Sequence, residues 1–163
     1  MFNTPRHVAL LLFSFIWLSP VSASQIQVDE SLTLAQLIKA SDYIFVVSHV
    51  PPSKPLIGRF SLIHFQVNEV LKPNPSKQEP SIQVVHFQDD LLKALKKSQE
   101  HEPKKSLLIR GYKSPGTLEE SLKKRFILFL VKNGKEFHFA APGSFESLES
   151  GPKIRKILKA KLQ

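Results

Sequence analysis

Four histidines on strand-like stretches, two acidic pairs and two lysine clusters are the residues of this chain whose types could do chemistry. His49, His64, His86 and His138 all fall among β-branched and aromatic neighbours. If three of those strands were adjacent, a three-imidazole zinc or copper site would be geometrically possible. No two of these histidines stand at i, i+2 or i, i+4, so the spacing does not require a site. Separate surface histidines are the simpler expectation. Asp89-Asp90 and Glu119-Glu120 open two helical segments, where negative charge complements the positive end of the helix dipole. Capping accounts for both pairs without catalysis.

Neither a G-x-S-x-G elbow nor an H-E-x-x-H pair occurs, and phosphate-binding glycine loops are missing as well. The absence of cysteine removes a thiolate metal site, a cysteine nucleophile and any disulfide framework. These exclusions lead to the expectation of a non-catalytic protein without a cofactor.

The strongest chemical bias is basic: Lys+Arg number 23 against 14 Asp+Glu in 163 residues, a formal net charge of +9. Lys153, Arg155, Lys156, Lys159 and Lys161 crowd the last helical segment, opposite Ile154, Ile157, Leu158 and Leu162. Lys93, Lys96, Lys97, Lys104 and Lys105 form a second cluster. One reading is attraction to an anionic surface such as phospholipid headgroups, lipopolysaccharide or nucleic acid. The other is a solvated helix face whose apolar side packs on the domain. Lysine predominates over arginine and no aromatic side chain is interleaved, which favours the solvated face. Beyond residue 23 there is no Trp and the only Tyr residues are Tyr43 and Tyr112, so a platform for stacked bases is not expected, nor is a nucleic-acid partner.

Met1 to Ala23 has the parts of a secretory signal. Arg6 and His7 precede an apolar run, Val8 to Leu18, and Pro20 leads into Val21-Ser22-Ala23. Cleavage after Ala23 is expected, leaving residues 24–163 as a single globular domain. The apolar run is short of the ~20 residues a spanning helix needs, so no transmembrane segment is expected in the mature chain. An exported chain without cysteine fits a bacterial periplasm or exterior better than a eukaryotic secreted module.

Several elements must position the candidate residues. Thr33 and Gln36 form a capping box before a short helix with Leu34, Leu37 and Ile38 on one stripe. Tyr43 to Val50 reads as a strand closed by Pro51-Pro52. In Arg59 to Leu71, Ile63, Phe65 and Val67 alternate with His64, Gln66 and Asn68, which predicts a long strand with one wet face. A Pro-rich loop over 72–80 leads to a strand over Ser81 to Gln88 and a helix from Asp89. Leu107 to Ile109 predicts a short strand, and Thr117 to Glu120 a second capping box. Phe126 to Val131 is apolar on both faces, as a covered central strand requires; Asn133-Gly134 then makes a hairpin turn into Lys135 to Ala141. A helix over Pro152 to Leu162 closes the chain. The class is α+β: a small antiparallel five-stranded barrel or curled sheet with three to four short helices.

Ser41-Asp42-Tyr43-Ile44-Phe45-Val46-Val47, then Phe65-Gln66-Val67-Asn68-Glu69-Val70-Leu71-Lys72, then Val84-Val85, then Arg125 to Leu130 before a hairpin, is an order met elsewhere. Across residues 38 to 145 it resembles a group of uncharacterised exported bacterial proteins. More remotely, it is similar to the netrin-like domain of the tissue inhibitors of metalloproteinases. That resemblance implies an OB-type five-stranded barrel. It transfers no functional residue, because those inhibitors act through an N-terminal cysteine and this chain has none. The expected function is therefore a non-catalytic binding module of the cell envelope that contacts another envelope protein. The alternatives are a peripheral protein held to anionic lipid or polysaccharide by the basic C-terminal helix, and a metal-binding envelope protein using the strand histidines.

Overall fold

Alternation of apolar and polar side chains gives the chain its longest strand, and runs that are apolar on both faces give it the strands buried on two sides. The computed structural model describes residues 26–51, 62–72, 80–101 and 107–160. The signal-like segment 1–23, Lys104, Lys105 and Lys161 lie outside these residues. In chain order the first elements are β1 (Ile26–Leu32), α1 (Leu34–Ala40), β2 (Tyr43–His49), β3 (Leu62–Lys72), β4 (Ser81–Val85) and α2 (Phe87–His101). Then come β5 (Leu107–Tyr112), α3 (Leu118–Ser121), β6 (Phe126–Asn133), β7 (Glu136–Phe139), β8 (Phe145–Glu146), a 3₁₀ turn over Leu148–Ser150 and α4 (Gly151–Ala160).

The larger sheet runs β2-β3-β4-β7-β6-β8, and an additional β2–β6 pairing joins β2, β3, β4, β7 and β6 into a ring. The molecule is α+β, but its sheet is mixed rather than antiparallel throughout. β4 and β7 pair in parallel, at Val84↔Phe137 and Val85↔His138. Parity forces this: a closed ring with an odd number of strands must contain at least one parallel pair. Here β6 enters beside β2, its hairpin partner β7 returns antiparallel, and β7 therefore meets β4 running the same way.

The ring has two cores. Tyr43, Phe45, Val47, Phe65, Ile82, Val84, Phe126, Leu128, Leu130, Phe137 and Phe139 fill its inside. Their rings meet edge to face, Tyr43 with Phe137 at 5.2 Å and Phe65 with Phe126 at 5.7 Å between centroids. On the outer side, Ile44, Val46, Ile127 and Phe129 are covered by Leu37 and Ile38 of α1 and Ile154 of α4. β2 and β6 are thus buried on both faces, as the uninterrupted apolar run from Phe126 requires.

Both predicted capping boxes are present, Thr33 with Gln36 and Thr117 with Glu120. The Lys72 ammonium donates to the carbonyls of Ile38, at 3.1 Å, and Ser41, satisfying the end of α1. The strand expected over Ser81 to Gln88 stops at Val85, and α2 begins two residues before Asp89. β1 has no counterpart in the sequence reading. It pairs in parallel with β5 as a separate two-stranded sheet, and five of its seven residues are exposed.

Candidate functional site

The strand histidines are not gathered. His49 packs its ring edge against Phe65, His86 lines a groove near β5, and His64 lines a different groove beside β4. His138 has its Nδ1 3.0 Å from Asp90 Oδ2, tying α2 to β7. Asp90 is therefore more than a charge at a helix start. Among the described residues no group of three or more His, Cys, Asp or Glu could hold a metal ion. Glu120 caps α3, receiving the Thr117 N–H at 3.2 Å.

The basic helix divides into three parts. Ile154 is fully buried, with Ile157 and Leu158 packed against the same outer core. The Arg155 guanidinium donates to both carboxylate oxygens of Glu69, at 2.7 and 2.8 Å, so one of the five candidate cations serves the fold. Lys153, Lys156 and Lys159 are exposed. On α2, Lys93, Lys96 and Lys97 also lie on the exposed side. No helix of the described residues is long and apolar enough to cross a membrane.

A groove of about 450 Å³ lies where the ring parts. It is lined by inward residues Phe65, Ile82 and Phe137, by outward residues His64 and Gln83, and by Lys135 from the β6–β7 turn. Both faces of β3 and β4 contribute because β4 and β7 are paired only from Val84 onward, so Ser81 to Gln83 and the turn at Asn133-Gly134 stand apart. The floor is aromatic and aliphatic, and the rim carries one imidazole, one ammonium, one amide and the Ser81 hydroxyl. Of these residues the sequence singled out only His64, through the wet face of β3. The opening itself had no local signal, since it comes from where two distant strands stop pairing.

A second groove, of about 320 Å³, is lined by Val28, Glu30, His86, Tyr112, Glu119 and Phe145, among others. Behind it the Tyr112 hydroxyl donates to Glu146, and the Ser150 hydroxyl donates to the other Glu146 oxygen at 2.7 Å. Burial pushes the Tyr112 hydroxyl well above the ordinary tyrosine range, and the hydrogen bond and charge of Glu146 push it further. Tyr112 is thereby held neutral as a donor that fixes β5 against β8.

Comparison with known proteins finds no matching family model, no matching curated protein and no matching solved structure.

Proposed function

We propose that the chain is an exported, non-catalytic binding module of the cell envelope, built on an OB/netrin-like barrel, that holds another envelope protein in the groove beside β4. The observation that carries this reading is the filled ring. Phe65, Phe126, Leu128 and Val84 leave the inside fully packed, so a partner must be met from outside. A groove of about 450 Å³ departs from that packing at the β4–β7 seam.

Two further features support it. Five strands in a partly open ring, with a helix between the third and fourth, agree with an OB-type arrangement. In such barrels ligands engage the second and third strands and the turn joining the fourth to the fifth. Here those are β3, β4 and the Asn133-Gly134 turn, which border the groove. An apolar floor with one imidazole and one ammonium on its rim has the make-up of a binding site.

A second reading rests on Lys153, Lys156 and Lys159, exposed on the face of α4 opposite Ile154. It makes the protein a peripheral binder of anionic lipid or polysaccharide. Salt separates the two readings, because charge-driven attachment weakens as ions screen it. The test is affinity capture from envelope extracts across a salt gradient, with three baits: the unaltered chain, His64→Ala with Gln83→Ala, and Lys153→Gln, Lys156→Gln and Lys159→Gln together. Substitution is preferred to removal of α4, because Ile154 belongs to the core. A defined protein retained at high salt by the first and third baits, and lost by the second, supports the groove. Retention of lipid or polysaccharide alone, lost at moderate salt and lost with the lysines, replaces it with the second reading.

A further inference from the structure

The seam leaves a short length of backbone turned outward. The Val67 N–H donates to the Pro80 carbonyl at 3.0 Å, and the Val50 N–H donates to the His64 carbonyl at 2.9 Å. Backbone groups alternate sides along a strand, so Pro80, Ile82 and Val84 are directed to β3, and His64 to β2. Ser81 and Gln83 are then directed away from β3, toward the side where β7 lies. The Val84↔Phe137 bridge takes the Gln83 carbonyl, so the groups on that side that no described strand pairs are those of Ser81 and the Gln83 N–H. The groove opens there.

Lys135 stands at the rim beside His64, and no carboxylate lines the groove among the described residues. The neighbouring Glu136 has its carboxylate 3.7 Å from His138 Nε2 instead. The whole chain carries a formal charge of +9.

Resting on the groove as the binding face, we propose that its occupant is an extended acidic segment of a partner protein. The segment adds as a strand along Ser81 to Gln83 and sets a carboxylate against Lys135. Main-chain pairing supplies the affinity and Lys135 selects for acid.

The test uses the purified chain with a capped hexapeptide alternating valine and glutamate, and its valine–lysine counterpart, followed by amide NMR. The acidic peptide is expected to shift the signals of His64, Ser81, Gln83 and Lys135 and to slow exchange of the Gln83 amide about tenfold. Lys135→Glu, on an exposed turn, is expected to abolish that binding and to admit the lysine peptide. Equal binding of both peptides, an unaltered response in Lys135→Glu, shifts centred on α4, or no shift at millimolar peptide would each overturn the proposal. Undiminished retention at high salt of a protein partner by a Lys135→Glu bait, with loss by the His64→Ala, Gln83→Ala bait, would overturn it while leaving the binding-module reading standing.

Discussion

Gly134 and Gly143 both have positive φ, 62° and 74°, and the two positions differ in their surroundings. A Cβ on Gly134 would meet nothing within 4 Å, whereas one on Gly143 would lie 2.2 Å from the Tyr112 carbonyl oxygen. Gly134→Ala should cost about 1 kcal/mol, the left-handed backbone alone. Gly143→Ala should cost about 3 kcal/mol, since strain and a backbone clash combine. Urea unfolding of the two variants side by side checks the order. Tyr112 gives a pH prediction. Its raised folded-state pKa means that the native state keeps the proton to higher pH than the unfolded chain does. That stabilisation is complete below about pH 10 and is lost as pH rises beyond it. A denaturant midpoint that falls steeply above about pH 10 in the wild type, and less so in Tyr112→Phe, is the expected result. At this scale the local pairs were legible: both capping boxes join residues three apart, and a three-residue spacing can be read directly. Asp90–His138 and Glu69–Arg155 were not, because 48 and 86 positions separate the partners.

Among elements, the segments with the strongest periodicity were the most readable. Phe126 onward had to be covered on both faces, and β6 is. α4 shows its stripe through Ile154, which is fully buried. Ile154→Ala should therefore cost about 3 kcal/mol. The combined Lys153→Gln, Lys156→Gln, Lys159→Gln change should leave stability within about 0.5 kcal/mol per site, because these side chains sit in water. Thermal melts of both variants separate the structural half of the helix from any surface role. β1 escaped notice for a physical reason. Asp29 and Glu30 interrupt any apolar pattern, and its pairing with β5 lies far along the chain. A strand held by backbone bonds to a neighbour, with little burial, leaves almost no trace in hydropathy.

For the whole molecule, the number of ring strands decides more than the hydropathy of any one of them. Five strands in a ring cannot all be antiparallel, so the parallel β4–β7 pair follows from closure. That pair begins only at Val84, which creates both the groove and the outward-facing edge of β4. The class of fold was legible because strand and helix segments alternate plainly; the seam was not, because it depends on where two strands 50 residues apart in sequence part company. The direct measurement is hydrogen exchange on the complex with the captured envelope protein, compared with the free chain. Slowed exchange over residues 62–66, 81–84 and 133–137, with 151–160 unchanged, is the predicted result. Protection confined to 151–160, with the groove segments unchanged, would contradict it and move the function to the lysines of α4.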